Sequence, residues 1–201
     1  MSEQAESGRV TSLPNLLGLA RILATPVVMF LLLRPFGGAG MLAFFVFTAA
    51  AFTDYFDGRI ARARGQVTPL GVFMDLTADK VLVAGVLIAM VQVDLLPSWI
   101  VATLIIRELV VQGVRQLAAS ASVVIPARGL GKWKAFGTNL AIGTLLLAFD
   151  AETGGPLASL PLGPLLHLLG AFLALMAALL AVASAWEYVR GALPILLGRG
   201  R

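Results

Sequence analysis

The sequence predicts an all-α integral membrane protein with six transmembrane helices and both termini in the cytoplasm. Of its 201 residues 59% are hydrophobic and only 13% are charged, and the mean hydropathy is +0.91. Such a chain has too few polar residues to cover the surface of a soluble domain. Six apolar segments of about 20 residues, the length that crosses a bilayer, account for most of the chain. We therefore expect residues 1–201 to form a single transmembrane domain.

Capping signals and turn-forming residues divide the chain into six predicted helices. Ser12 is a suitable N-cap for the first helix, which has Pro14 in its first turn, and Thr68 and Pro69 occupy the same positions at the third. A Gly- and Pro-rich loop is expected over residues 150–164. The predicted helices cover residues 13–33, 41–64, 69–93, 99–119, 133–149 and 165–190.

The distribution of basic residues predicts the orientation of these helices. Arg34 alone lies on one side of the predicted spans, and eleven basic residues lie at or beyond the opposite ends of the helices. They are Arg9, Arg59, Arg62, Arg64, Arg115, Arg128, Lys132, Lys134, Arg190, Arg199 and Arg201. Because cytoplasmic loops carry an excess of Lys and Arg, both termini and the short segment 1–12 are expected in the cytoplasm. The first apolar run follows Glu3 and Glu6 and is long enough to remain as a span, so no cleavable signal peptide is expected.

The composition also limits the chemistry and the partners. Cysteine is absent and His167 is the only histidine, which excludes disulfides, thiolate metal sites, a cysteine nucleophile and multi-histidine sites. The net charge of +4 does not indicate nucleic acid, because the positive charges fall on one side of the spans. We predict a multi-pass protein of the cell membrane.

Four aspartates lie where the second and third predicted helices approach the cytoplasm. Asp54 and Asp57 are three residues apart and Asp75 and Asp79 are four apart, so each pair lies on one helical face. The link over 64–68 is so short that the two helices must be antiparallel neighbours, which allows the two faces to meet. Four ionisable residues in spans cost on the order of 10 kcal/mol, at about 2.5–3.5 kcal/mol each. A bound cation is needed to offset this cost.

An all-oxygen site of this kind selects a hard divalent ion, Mg²⁺ or Mn²⁺, in one or two copies. Gly58, Ala61 and Gly71 are interleaved with the aspartates, and such small residues let a bulky phosphorylated ligand approach the backbone. Nearby basic residues supply counter-charges: Arg59, Arg62 and Arg64. These features together predict metal-dependent phosphate chemistry at the cytoplasmic surface.

This segment resembles the signature of the CDP-alcohol phosphotransferase (CDP-alcohol phosphatidyltransferase) family, D-x2-D-G-x2-A-R-x8-G-x3-D-x3-D. Every fixed position matches: Asp54, Asp57, Gly58, Ala61, Arg62, Gly71, Asp75 and Asp79. The resemblance implies that Asp54, Asp57 and Asp75 ligate the metal that holds the CDP diphosphate. It implies that Asp79 is a further ligand or the catalytic base. It also implies CDP-lipid contacts at Gly58, Ala61, Arg62 and Gly71, six transmembrane helices, a homodimer and an active site that faces the cytoplasm.

Further segments resemble the phosphatidylglycerophosphate synthases within this family. They are Pro14-Asn15-Leu16-Leu17 with Arg21, Ala78-Asp79-Lys80, Ile106-Arg107-Glu108, Arg115 with Ala118-Ala119, and Gly131-Lys132-Trp133-Lys134. The chain departs from that pattern at Leu76-Thr77, Ala135 and Thr138. The resemblance implies transfer of the phosphatidyl group from CDP-diacylglycerol to glycerol 3-phosphate, with release of CMP, in phospholipid biosynthesis.

The acceptor phosphate should require several cations beyond those that hold the CDP group. Five basic residues at the cytoplasmic ends of spans, or within them, are candidates: Arg107, Arg115, Lys132, Lys134 and Arg190. Arg107 lies inside a span, where a pair with the neighbouring Glu108 or with another helix would also compensate its charge.

Other interpretations stay open at this point. Inositol phosphate would satisfy the same cations, while serine would have less use for them, and phosphatidylglycerol is a further acceptor within the class. From a different class, intramembrane carboxylates also mark transporters of divalent cations, although those more often hold acids near the midplane on broken helices. A non-catalytic scaffold would have no use for a metal site. Release of CMP from CDP-diacylglycerol separates the enzyme from the transporter and the scaffold.

Overall fold

The chain forms six long α-helices in a computed structural model that describes residues 13–64, 69–120 and 129–196. The helices are α1 (Leu13–Leu33), α2 (Ala39–Arg64), α3 (Pro69–Gln92), α4 (Ser98–Ser120), α5 (Gly129–Glu152) and α6 (Gly163–Leu196). A short 3-10 helix, Pro156–Ser159, lies between α5 and α6. Within these ranges there is no strand, so the predicted all-α class and the six helices are confirmed.

The predicted helix ends agree closely with the structure for the first four helices, and the last two helices are longer than predicted. α5 covers residues 129–152, against a predicted 133–149, and α6 covers 163–196, against a predicted 165–190. The predicted loop at 150–164 is therefore too long, because its first three residues continue α5 and its last two begin α6. Asp150 consequently lies in a helix.

The connection between α3 and α4 contains a residue with left-handed backbone geometry near its start. Asp94 has φ 57°, and its N–H donates to the carbonyl of Val91 at 3.2 Å. The N–H of Leu95 donates to the carbonyl of Met90 at 2.9 Å. This pair of hydrogen bonds satisfies the last carbonyls of α3 and stops the helix. The turn predicted at 94–98 is confirmed, and it lets α4 pack against α3.

The helices pack around one apolar core. α1 packs on α2 and α3, α5 packs on α6 and α2, and α4 packs on α6. Fully buried side chains from α1, α3 and α5 meet in its centre: Val28, Leu32, Leu82, Val86, Met90, Ile142 and Leu145. The contact between α5 and α6 is close, because a Cβ added at Gly170 would lie 2.6 Å from Cγ of Leu145. Glycine is required there, as is common where helices pack without a hydrophobic drive between them.

Large apolar side chains cover the outside of the molecule as well. Phe30, Phe52 and Leu109 are each more than 60% exposed, on α1, α2 and α4, and similar residues occur on the other helices. Soluble proteins rarely expose so much contiguous apolar surface. Among the described residues, α1 over 16–33 and α6 over 163–193 are long and apolar enough to cross a membrane, with hydropathies of 2.3 and 2.5. These features favour a membrane protein.

Asp150 connects α5 to the start of α2. Its side chain is fully buried. Oδ1 accepts a hydrogen bond from the N–H of Met41 at 2.9 Å, and Oδ2 accepts one from the N–H of Leu157 at 3.1 Å. Met41 lies in the first turn of α2, where N–H groups lack partners within the helix and negative charge is favourable. Gly40 and Gly155 approach Asp150 so closely that a Cβ on either would overlap it. Asp150 therefore caps α2 from a distant part of the chain.

Replacing Asp150 by Ala should destabilise the fold by about 1–3 kcal/mol, because two partly buried N–H groups lose their acceptor. Thermal unfolding of the detergent-purified protein, followed by circular dichroism, measures the loss. Glu152→Ala is the control on the same helix: Glu152 forms only an exposed pair with His167 at 3.1 Å, and such pairs contribute about 0–1 kcal/mol. Equal melting temperatures for the two variants would contradict this role of Asp150.

Candidate active site

A cavity of about 580 Å³ lies between α3, α4 and α5, with Tyr188 of α6 also on its wall. This volume is in the range of sites for small ligands. One part of the wall is apolar, with Val83, Leu87 and Leu104. The charged residues on the wall are Asp79, Lys80, Arg107, Glu108, Arg115, Lys132 and Lys134. The cavity thus brings one of the predicted aspartates together with four of the five basic residues predicted to bind the acceptor phosphate.

Asp79 lies on the α3 side of this cavity and is half-buried. Three positive side chains, Lys80, Arg21 and Lys134, and one negative side chain, Glu108, are near enough to interact with it electrostatically. Arg21 is fully buried, so its charge is poorly screened by solvent. The balance of charge around Asp79 is positive, as expected where phosphate groups are received.

Glu108 joins two buried cations. Its Oε1 accepts hydrogen bonds from Nη1 of Arg107 at 2.5 Å and from Nζ of Lys134 at 2.6 Å. Nη2 of Arg107 also donates to Oγ of Ser184 at 2.8 Å, and its guanidinium lies 6.0 Å from the centroid of the Tyr188 ring. Glu108 therefore pairs with the charge of Arg107, as its place in a span led us to expect, and Ser184 on another helix accepts a further hydrogen bond from it. The network fixes α4 to α5 and α6.

Arg115 and Lys132 differ from this paired set. Both line the cavity, both are exposed, and no described residue forms an ion pair with either. Arg107 and Lys134, by contrast, are only 9% and 6% exposed and share the carboxylate of Glu108. Among the described residues, Arg115 and Lys132 are therefore exposed cations of the cavity wall with no carboxylate at ion-pair distance, while the single charge of Glu108 is shared by two buried cations.

Arg190 is not brought to this cavity. It is exposed, and its guanidinium lies 6.0 Å from the centroid of the Trp186 ring. Tyr188 does line the cavity, and a residue two positions further along an α-helix is rotated by about 200°. Arg190 thus lies on a different side of α6 from the cavity.

The remaining predicted residues lie on α2 and α3, close to the short connection between these helices. Asp54 and Asp57 are one turn apart on α2, and Asp75 lies one turn before Asp79 on α3. The side chains of these three aspartates are outside the described residues, and so are those of Gly58, Ala61, Arg62 and Gly71. Among the side chains that are described, no cluster of three metal-binding groups occurs. Metal and CDP-lipid binding by this set remain predictions.

The cavity wall also carries uncharged polar residues that were not among the predicted site residues: Gln112, Gln116, Thr138, Asn139 and Tyr188. Gln112 follows Glu108 by four residues and precedes Arg115 by three, so the three form a polar stripe on one face of α4. The spacing of Glu108, Gln112 and Arg115 could therefore have identified Gln112 as a site residue from the sequence. Tyr188 had no such signal, because α6 is apolar around most of its circumference.

Comparison with known proteins gives consistent matches. The family model described as CDP-alcohol phosphatidyltransferase matches residues 11–186. A CDP-diacylglycerol--glycerol-3-phosphate 3-phosphatidyltransferase of Bacillus subtilis is 38% identical over 148 residues, which cover 68% of this chain and 77% of that protein. A "Probable phosphatidylglycerophosphate synthase" of Mycobacterium tuberculosis is 36% identical over 204 residues, which cover 96% of this chain and 90% of that protein. A Pseudomonas fluorescens protein with the same name as the first is 33% identical over 192 residues, covering 94% of each chain.

Proposed function

Because the chain belongs to the CDP-alcohol phosphatidyltransferase family, we propose that it transfers the phosphatidyl group from CDP-diacylglycerol to glycerol 3-phosphate, forming phosphatidylglycerophosphate and CMP. The observation that carries this proposal is the cavity in which Asp79 lies with the exposed cations Arg115 and Lys132. A carboxylate that takes up a proton and cations that hold a phosphate are what this acceptor needs. The names of the similar proteins support the same reaction.

In the proposed reaction a hydroxyl oxygen of the acceptor attacks the phosphorus that carries diacylglycerol. The bond from this phosphorus to the phosphate oxygen of CMP breaks, and the hydroxyl proton must pass to a base. We assign this proton to Asp79. Glu108, the other carboxylate on the wall, is already engaged by Arg107 and Lys134.

The aspartates fit a hard divalent cation, Mg²⁺ or Mn²⁺, in one or two copies. Asp54, Asp57, Asp75 and Asp79 offer only carboxylate oxygens, the donors that these ions prefer, at the ends of two helices that contact each other. When bound, the ion would neutralise charge on the diphosphate. The chain itself would orient that diphosphate against the cavity that holds the acceptor.

Removal of divalent cations should abolish CMP release, and Mg²⁺ or Mn²⁺ should restore it. A second readout is independent of turnover: saturating Mg²⁺ should raise the melting temperature, since a ligand at about 100 times its Kd stabilises the folded state by about 2.7 kcal/mol. Ca²⁺-free buffer with EDTA and added Mg²⁺ in excess is the control for chelator effects. Full activity after exhaustive chelation would contradict the metal site.

The acceptor phosphate is assigned to the basic wall of the cavity. Arg115 and Lys132 supply exposed charge with which no described carboxylate pairs, and the buried Arg107 and Lys134, which share Glu108, supply one further net positive charge. Charge-assisted hydrogen bonds from such groups are among the strongest contacts that a phosphate can make at a wet surface.

Replacing Arg115 or Lys132 by Ala should raise the KM for glycerol 3-phosphate about tenfold or more, because a hydrogen bond to a charged group contributes about 1.5–3 kcal/mol. The KM for CDP-diacylglycerol should change little. Lys134→Ala should raise the acceptor KM too, and should also lower stability because Glu108 loses a buried partner. Titration of each substrate in turn measures both KM values. Arg34→Ala is the control, because Arg34 directly follows α1 and does not line the cavity. An unchanged acceptor KM in both Arg115→Ala and Lys132→Ala would exclude this phosphate site.

We place all six helices across the cell membrane, with both termini and the cavity mouth on the cytoplasmic side. Exposed apolar side chains on every helix support this arrangement. Trp99 and Trp133, near the starts of α4 and α5, are 58% and 66% exposed, as expected of residues in the aromatic belts of a membrane protein. The one-sided distribution of Lys and Arg sets the orientation. The homodimer implied by the family stays a prediction.

The purified protein, supplied with CDP-diacylglycerol and Mg²⁺, tests the proposed function when CMP release is measured against a panel of acceptors. Release with glycerol 3-phosphate is the expected result. Turnover with inositol phosphate but not with glycerol 3-phosphate would show that the proposed acceptor is wrong and that the proposed type of reaction is right. Absence of CMP release with every acceptor would exclude the transferase and favour a transporter or a scaffold.

A further inference from the structure

A second cavity, of about 410 Å³, lies between α4 and α6. Its lining is almost entirely apolar, with Ile106 and Val110 from α4 and Val182, Ala185 and Val189 from α6. Ile106 and Val182 are 58% and 56% exposed, so the groove is open to the surroundings. For helices placed across a membrane, those surroundings are lipid chains.

One end of this groove carries an aromatic ring and a positive charge. Trp186 lines the groove, is 63% exposed, and lies 6.0 Å from the guanidinium of Arg190. Arg190 lies near the cytoplasmic end of α6 in the arrangement proposed above. Trp is enriched at the membrane interface, and Arg extends its charged group from apolar surroundings to the headgroup level. The apolar trough therefore lies beside a cation, Arg190, which reaches the depth where lipid phosphates lie.

We propose that the α4–α6 groove binds an anionic diacyl phospholipid, with an acyl chain along Val110, Val182 and Val189 and the headgroup phosphate on Arg190. An apolar trough that ends in an exposed cation is complementary to such an amphiphile, and basic sites between transmembrane helices on the cytoplasmic side bind anionic headgroups. This inference depends on the membrane placement proposed above and not on the proposed reaction.

The groove lies directly behind the candidate active site. Arg107 lines both cavities, and its guanidinium is bonded to Glu108 on one helix and to Ser184 on another. A diacylglycerol phosphate at this place has two sources, the bulk anionic lipid of the membrane and the nucleotide-activated lipid of the proposed reaction. Both lipids consist of acyl chains joined to an anionic headgroup. The experiment below therefore tests each of the two lipids separately.

Tryptophan fluorescence quenching tests the proposal directly. In the full chain with Trp99→Phe and Trp133→Phe, Trp186 is the only indole left. This protein is reconstituted in vesicles that contain brominated phosphatidylglycerol or brominated phosphatidylcholine at graded mole fractions. We expect phosphatidylglycerol to quench Trp186 at about fivefold lower mole fraction, the effect of about one basic group near an anionic headgroup. Arg190→Gln should remove the preference, and Arg34→Gln, far from the groove, should leave it intact.

A groove-filling variant, Ala185→Phe, should weaken quenching by phosphatidylglycerol without changing the helical content, which circular dichroism checks. Equal quenching by both lipids, or a preference that survives Arg190→Gln, would overturn the proposal. Quenching by brominated CDP-diacylglycerol alone would overturn it as well and would assign the groove to the substrate lipid. No quenching by any lipid, together with cross-linking of two copies through this face, would assign the groove to a dimer contact. Because no turnover is measured, failure of the proposed reaction would not alter these results.

Discussion

Asp57→Asn and Asp75→Asn should each lower the rate of CMP release by at least about 10²-fold at saturating substrates and Mg²⁺. Each substitution keeps the size and shape of the side chain and removes one negative charge from the proposed metal site, where charge is needed both to hold the ion and to neutralise the reacting phosphates. The helix backbone should be unaffected, so these variants should retain wild-type helical content by circular dichroism.

Asp94→Asn is the matched control, because it lies at the opposite end of α3 from Asp75 and Asn tolerates the same left-handed geometry. Its turnover should be close to normal. Binding of Mn²⁺, followed by electron paramagnetic resonance, gives a second readout that does not depend on turnover. A near-normal rate with normal Mn²⁺ binding in either variant would remove that aspartate from the metal site.

Asp79→Asn should depress turnover by about 10²–10⁴-fold, the range expected for loss of a general base, while the affinity for CDP-diacylglycerol changes much less. The reason is its position: Asp79 lies on the wall that also carries the proposed acceptor site, one turn further along α3 than Asp75. Single-turnover rates and equilibrium binding of CDP-diacylglycerol separate the two effects. A variant that loses nucleotide-lipid binding but reacts at a normal rate once saturated would make Asp79 a metal ligand only.

The sequence predicted most of the fold because its helix ends carry local signals. Pro69 marks the start of α3, and the turn at Asp94 follows the end of the apolar run, so both ends were found within a residue or two. The ends of α5 and α6 were harder to predict from the sequence. The end of α5 includes Asp150, whose carboxylate accepts hydrogen bonds from N–H donors in α2 and in the following loop, and no local sequence pattern reveals a contact over such a distance.

The candidate site was predictable to the extent that it depends on spacing within one helix. Arg107, Arg115 and Lys134 were selected as cations near the cytoplasm, and the structure brings them to one cavity. Their division into paired and unpaired charges was not predictable, because it depends on how α4 and α5 are rotated about Glu108. The position of Arg190 outside this cavity was not predictable for the same reason: an almost uniformly apolar helix such as α6 gives no sequence signal for its rotation.

The contact between Asp150 and Met41 has a consequence for the biogenesis of the protein. The two residues are 109 positions apart, so the ribosome, at about 5–20 residues per second, needs roughly 5–20 s to supply the acceptor after the donor has been made. During this interval the first turn of α2 lacks its cap. A nascent chain that stops before α5 keeps that defect permanently. Unfinished and finished molecules therefore differ in whether the N-terminal end of α2 is capped.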